Sequence, residues 1–539
     1  MMQNVLGATA RSTYATTPTE TDPYVYQVGF GNRFASEAIP GVLPAGQNCP
    51  QKVKYGLYIE GITGSALVAT RAESQTAWFY RIRPSVAHQG FMKLARNPDL
   101  ESNFLPSNPN VHLSPTQLAW NPFDTPSASD KVDFVDELKT LAGNGDPTLR
   151  EGLGIHVYVA NTSMDKRALC NSDGDMLILP QLGSLDVQTE FGRMMVRPGE
   201  LLVVQRGIKF KVNLPDGPSR GYIQEIFGSH CELPDHGPIG GHGLANPRDF
   251  ESPIASFDLD QTPWQITYKY AQSPIEYLTV IQHKIDWEAN CFPALKSTPH
   301  STSLHGTESA CLPHLNIFVQ PRTCISKDHM DASIFCVLTS KSKAPGVPLA
   351  DFLIFSPRWD VSTNTFRPPH LQYYHRNAAT EFMGLIYGVY GGRSDGFQPG
   401  SASYETGFCP HGVSYEEYKK ATEVELKPIR IHEGTLAFMF ESSMMLTITD
   451  FAMARSGKLH EHEPKMWNDL KAEFMNHLDE ASFDLRVAGL PSLSERSSIE
   501  STHTHPFPST VTEITMLIGI QESLFIFCTS LDVVTLINI

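Results

Sequence analysis

A chain of 539 residues with 41% hydrophobic content is longer than one simple core accommodates, so more than one domain is expected. A formal net charge of −16, with the most basic segment (Lys419–Lys427) broken by Glu423 and Glu425, argues against a nucleic-acid partner. Nine cysteines without a C-x-x-C pair fit free thiols in a reducing compartment, and a cytoplasmic location is expected.

In chain order, residues 1–23 lack the apolar core of a secretory signal and read as a flexible N-terminal segment. From Tyr24 onward, short apolar and β-branched runs alternate with Gly, Pro, Asn and Asp, as in Met176–Gln188, Leu201–Val212 and Thr435–Thr449. The 29 Phe and 18 Tyr favour the same β-rich interior. Helical periodicity is confined to Asp130–Ala142 and Glu463–Leu478. The rhythm of strand, Gly turn, strand and PGEL in the first half resembles a cupin barrel, and EFMGLIYGVYGG followed by EGTLAFMF has a similar rhythm in the second. The expected class is mostly β, with cupin-like or jelly-roll β-sandwich domains in a bicupin-like arrangement and a few peripheral helices. The expected domains are a β-rich one over 24–315 and a second over 316–480. Residues 481–539 read as an atypical, disordered tail. Its apolar end is cut by Glu522 and Asp532 into pieces shorter than the roughly 20 residues a membrane helix needs, so no membrane partner is expected.

Among twenty histidines, most are expected to be ordinary; His432, His460, His462 and His477 lie among charges and read as solvated. His375 and Glu381 differ, because they head the apolar run FMGLIYGVY. Their even spacing places both side chains on one face if the segment is extended. A buried carboxylate needs a cation, so a metal or a paired base is expected there. With His411 as a third group, two imidazoles and one carboxylate make the facial triad of non-haem Fe(II) oxygenases. The alternative is that Glu381 pairs with Arg376 and both histidines are incidental.

Longer motifs carry a resemblance. The segments YQVGFGNRFASEAIPGVLPAGQNCPQ, ELPDHGPIGGHGLANPRDFESPIA and ADFLIFSPRWDVSTNTFRPP, together with YYHRN, EFMGLI and CPHG, resemble the homogentisate 1,2-dioxygenase family over most of residues 24–475. The resemblance implies Fe(II) held by His375, Glu381 and His411, with His411 also bordering the substrate. It implies a catalytic base at His329, whose imidazole suits proton transfer near neutral pH, and a substrate contact at Tyr390. The implied reaction opens the ring of homogentisate, a small aromatic substrate of tyrosine and phenylalanine catabolism, with O2 to give maleylacetoacetate. A homo-oligomer, a hexamer built from trimers, is also implied. Three departures stand out: Glu405 replaces a family histidine six residues before His411, His370–Gln372 are additional, and roughly 295–315 is rewritten. They keep other readings open: a divergent paralogue acting on another 2,5-dihydroxyaryl acid, a catalytically impaired cupin-like binding protein, or a zinc hydrolase.

Overall fold

The computed structural model describes residues 17–30, 36–39, 50–66, 68–69, 75–94, 97–234, 242–245, 247–258, 262–270, 281–287, 296–299, 314–315, 334–355, 357–360, 374–390, 397–425, 429–460 and 467–494. His329, His370–Gln372 and residues 495–539 lie outside these, as do His462 and most of 295–315.

Strands dominate, as the punctuated apolar runs predict. Met176–Gln188 becomes Asp175–Leu182 and Leu185–Thr189, and Leu201–Val212 becomes Leu201–Val204 and Lys209–Asn213. Thr435–Thr449 becomes Leu436–Ser442 and Thr447–Thr449. In the second of these the break is a turn in which Gly207 takes φ +82°, a conformation that other residues seldom adopt.

Three large sheets organise the compact unit that ends at Asp469. A ten-stranded sheet is built around Asp175–Leu182, Ser219–Ile226 and Glu151–Ala160, and a seven-stranded one includes Leu185–Thr189, Lys209–Asn213 and Trp264–Tyr270. Their facing side chains, among them Tyr158, Ile178, Ile223, Val187 and Phe210, form one core. An eight-stranded sheet runs through Ile334–Lys341, Pro348–Phe355, Leu436–Ser442, Thr380–Tyr387, Ala402–Glu405 and Leu118–Trp120. Its strands present Phe352, Phe382, Ile386, Phe438 and Phe440 to the ten-stranded sheet, where Ile155, Val157, Leu177 and Tyr222 join the same cluster. Chain segments are exchanged across this layer: Leu118–Trp120 from the first half joins the eight-stranded sheet, and Thr447–Thr449 from the second joins the ten-stranded one.

Residue alternation then decides where the site falls. In Thr380–Tyr387, Phe382 and Ile386 enter the inter-sheet core, so Glu381, Met383 and Leu385 occupy the opposite face. Met383 and Leu385 pack there with Leu353, Phe355, Tyr390, Ala437 and Met439, extending an apolar floor away from Glu381.

Two helical expectations change. Asp130–Ala142 is not a helix: Asp133 accepts hydrogen bonds from the backbone N–H groups of Val135 and Asp136, closing a turn, and Leu138–Asp146 runs as a strand between Glu151–Ala160 and Thr447–Thr449. Ladder pairing and burial outweigh the local helical period. The helix expected over Glu463–Leu478 lies further along, at Leu478–Val487, preceded by a 3-10 turn over Glu473–His477. Residues 470–494 belong to a second contact unit. No helix among the described residues is long and apolar enough to cross a membrane.

Candidate metal centre

His375 and Glu381 do not share one extended segment. His375 ends the two-residue strand Tyr374–His375; the chain bends through Ala378–Ala379, and Glu381 lies in the next strand, Thr380–Tyr387. The bend brings the two groups together, where a continuous strand would hold them about 20 Å apart at 3.3 Å per residue. His411 arrives by pairing: Tyr374–His375 is antiparallel to His411–Gly412, with His375 directly opposite His411. The two imidazole centroids are 4.1 Å apart.

Ligand-capable atoms of His375, Glu381 and His411 all fall within 4.8 Å of one another. Glu381 Oε2 lies 3.4 Å from His411 Nε2, and Oε1 lies 3.8 Å from His375 Nε2. The donor chemistry fits a cation. His411 Nδ1–H donates to the Cys409 carbonyl at 2.8 Å, which leaves the Nε2 lone pair as the open donor. That Nε2 is buried without a hydrogen-bond partner, and so is His375 Nδ1. Asn377 Nδ2 donates to Glu381 Oε1. Burial opposes the charge on Glu381, but the polar contacts of His375, His411 and Asn377 more than offset it, holding the carboxyl well below the usual range. Among the described residues Arg376 makes no ion pair with Glu381, so the simplest alternative to a metal has no support in the geometry. Arg376 instead lines a cavity of about 500 Å³ with Tyr374, His375, Pro410, His411 and Trp467.

Sheet register brings further acids beside the triad. Glu441 stands opposite both Glu381 and Asp351, and Glu405 stands opposite Glu381, so four carboxylates cross the sheet in one row on one face. Burial, then the Glu381 and Asp351 carboxylates, push Glu441 up to about 7. Glu405 is fully buried and accepts a hydrogen bond from Gln117 Nε2 at 2.8 Å. A signal for Glu441 existed in LAFMFES, where an acid shares the alternation of Ala437 and Met439; Gln117 and the Cys409 carbonyl had none. Tyr390 is buried at the far end of the apolar floor, its ring edge-on to Phe355 and His432. His432, expected to be solvated, is half-buried against that ring.

Two family models match the chain: homogentisate 1,2-dioxygenase N-terminal over residues 25–293, and homogentisate 1,2-dioxygenase C-terminal over residues 317–474. The chain belongs to the homogentisate 1,2-dioxygenase family. Relatives named homogentisate 1,2-dioxygenase include one from Dictyostelium discoideum, 45% identical over 451 residues, spanning 83% of this chain and 97% of the relative. Another, from Homo sapiens, is 45% identical over 460 residues, spanning 83% of this chain and 96% of the relative. The Caenorhabditis elegans protein is 43% identical over 462 residues, 84% and 99% of the two chains. A cupin 2 conserved barrel domain protein from Leptotrichia buccalis matches structurally at TM-score 0.23 and 8% identity, over 54% of this chain and 83% of that one, too slight a likeness to carry an argument.

Proposed function

We propose that this protein is a non-haem Fe(II)-dependent dioxygenase that cleaves the ring of homogentisate with O2 to give maleylacetoacetate. The observation that carries the reading is the convergence of His375, Glu381 and His411, with unpartnered imidazole nitrogens around a buried carboxylate, in a chain of this family. The two imidazoles and the carboxylate would hold Fe(II), which when bound supplies Lewis acidity and the redox partner O2 requires. The Cys409 carbonyl and Asn377 orient His411 and Glu381. A cavity of about 500 Å³ suits a single aromatic acid. Arg376 there offers a cation for the arylacetate carboxylate, and Trp467 and Tyr374 offer aromatic faces for the ring. In this reading His329 takes the phenolic proton, and Tyr390 and His411 contact the substrate. Residues 24–315 form the N-terminal domain and 316–480 the iron-binding one, in a cytoplasmic homo-hexamer.

The test is anaerobic reconstitution with Fe(II), followed by homogentisate and air, with oxygen uptake and bound iron measured together. Uptake that depends on iron is expected, falling by more than about a hundredfold in Glu381→Gln and His411→Ala, since even the groups that merely orient a ligand cost tenfold to a hundredfold. A protein that binds no iron removes the triad.

One observation favours a second reading, a related 2,5-dihydroxyaryl acid as substrate. Glu405 replaces a family histidine and shares a sheet face with Glu381. A carboxylate there would repel an anionic substrate by several kcal/mol at an effective dielectric of about 20. Iron binding without homogentisate turnover points to this reading. Glu405→His should then raise turnover, whereas an unchanged rate places the side chain outside the substrate's reach.

A further inference from the structure

A second cavity, about 740 Å³, is walled by strands of both the ten- and eight-stranded sheets, away from the three candidate ligands. Eight charged side chains line it, and six of them form three pairs. Lys341 Nζ is 2.7 Å from Glu232, and Lys343 Nζ is 2.7 Å from Glu151. His230 Nδ1 lies 2.6 Å from Asp175 Oδ2, and its Nε2 lies 3.2 Å from the Gly64 carbonyl. Both partners are acceptors, so the ring satisfies them only by carrying a proton on each nitrogen, as an imidazolium that neutralises Asp175.

Arg150 and Arg206 are left over. Arg206 donates from Nη1 to the Phe227 carbonyl at 3.0 Å, and among the described residues no other hydrogen bond engages its guanidinium. Burial, opposed by Asp175 and reinforced by nearby Arg150, lowers its proton affinity, the mark of a cation short of negative charge. Among the described residues nothing bonds the Arg150 guanidinium, although the backbone there holds φ +52°, an uncommon conformation for a residue with a Cβ. The two arginines flank one short segment. Arg206 holds Phe227, while a Cβ added at Gly228 would come within 2.9 Å of the Arg150 carbonyl. Ser229 follows, lining the same cavity with a buried hydroxyl that has no hydrogen-bond partner. Phe30, Leu233, Leu349 and Met444 line the same cavity with apolar side chains.

We propose that this cavity binds an organic carboxylate, its anionic end held by Arg206 and Arg150 and its apolar body against Phe30, Leu233, Leu349 and Met444. Guanidinium forks suit a carboxylate, and a mixed lining of this volume suits a ligand of several carbons.

Calorimetric titration of the full-length protein with benzoate, benzyl alcohol and inorganic phosphate tests it. Benzoate should bind saturably and at least about tenfold tighter than either of the others, because one lacks the charge and the other the apolar body. Arg206→Gln and the solvent-facing Arg150→Gln should each weaken benzoate by about tenfold, while Arg206→Lys, which keeps the charge, weakens it less. Benzoate affinity should be unchanged in His375→Ala, which separates this cavity from the metal centre. The proposal is overturned if benzyl alcohol or phosphate binds as tightly as benzoate, if Arg150→Gln in its folded form binds unchanged, or if His375→Ala abolishes binding.

Discussion

Each half of the molecule buries a glutamate beside histidine, and the two nests are completed differently. In the first half Glu225 accepts from His156 Nε2 at 2.9 Å and from Asn171 Nδ2 at 2.6 Å. Lys269 Nζ sits 2.9 Å from Glu225 and 2.7 Å from Asp173, and Thr140 engages the other His156 nitrogen at 2.9 Å. None of His156, Glu225, Lys269 or Asp173 is more than 3% exposed, and the cation that makes this tolerable is a side chain of the protein itself. In the second half Glu381 has two imidazoles and an amide around it and, among the described residues, no Lys or Arg paired with it, while His411 Nε2 and His375 Nδ1 are buried without a hydrogen-bond partner. The same residue types therefore make a closed structural knot in one place and a donor set that could hold a metal ion in the other. What separates them is Lys269.

The contrast can be broken at its strongest point first. Lys269→Met leaves Asp173 and Glu225 buried without their cation, and should cost about 3–5 kcal/mol. Urea unfolding reads this, and the folded variant should still bind iron at the second nest; a loss under about 1 kcal/mol would mean the first nest does not depend on its ammonium. Next in size is Asn377→Ala. It removes an orienting donor from the open nest, so iron affinity measured by competition with a chelator should fall about tenfold to a hundredfold while the unfolding midpoint of the metal-free protein barely moves. An equal fall in stability would make Asn377 structural.

The smallest effect is a pH slope. Burial lowers the pKa of His156 more than Glu225 raises it, so the folded chain refuses a proton that the unfolded chain takes below about pH 6.5. Stability present above that pH should be lost as pH falls, at no more than about 1.4 kcal/mol per pH unit for one proton. His156→Gln should flatten the slope between about pH 6.5 and 5. His230 acts with the opposite sign: burial lowers its pKa, but Asp175 and the Gly64 carbonyl raise it more. Its contribution is complete below about pH 6.5 and fades as pH rises through the higher folded value, so the two windows stay separate.

Parts of this were legible in the residues alone. Punctuated β-branched runs specify strands because alternation and turn chemistry are local, and an acid heading an apolar run asks for a counter-charge wherever it folds. The helix expected at Asp130–Ala142 failed because its period was read without the strands that flank it. Even spacing alone would set His375 and Glu381 on one extended face, and nothing in HRNAATE announces that the chain bends there.

By itself, the sequence determined a β-rich architecture, the family motifs and the three candidate ligands. Tertiary structure alone decided that His411 faces His375, that Glu441 and Glu405 flank Glu381, and that Lys269 closes the nest around Glu225 while Glu381 meets imidazoles instead. Among the described residues it also left the Arg150 and Arg206 guanidiniums without a bonded carboxylate. Register and long-range pairing bring residues such as Gly143 and Thr447, far apart in the chain, into contact, and no local pattern records which cation meets which carboxylate.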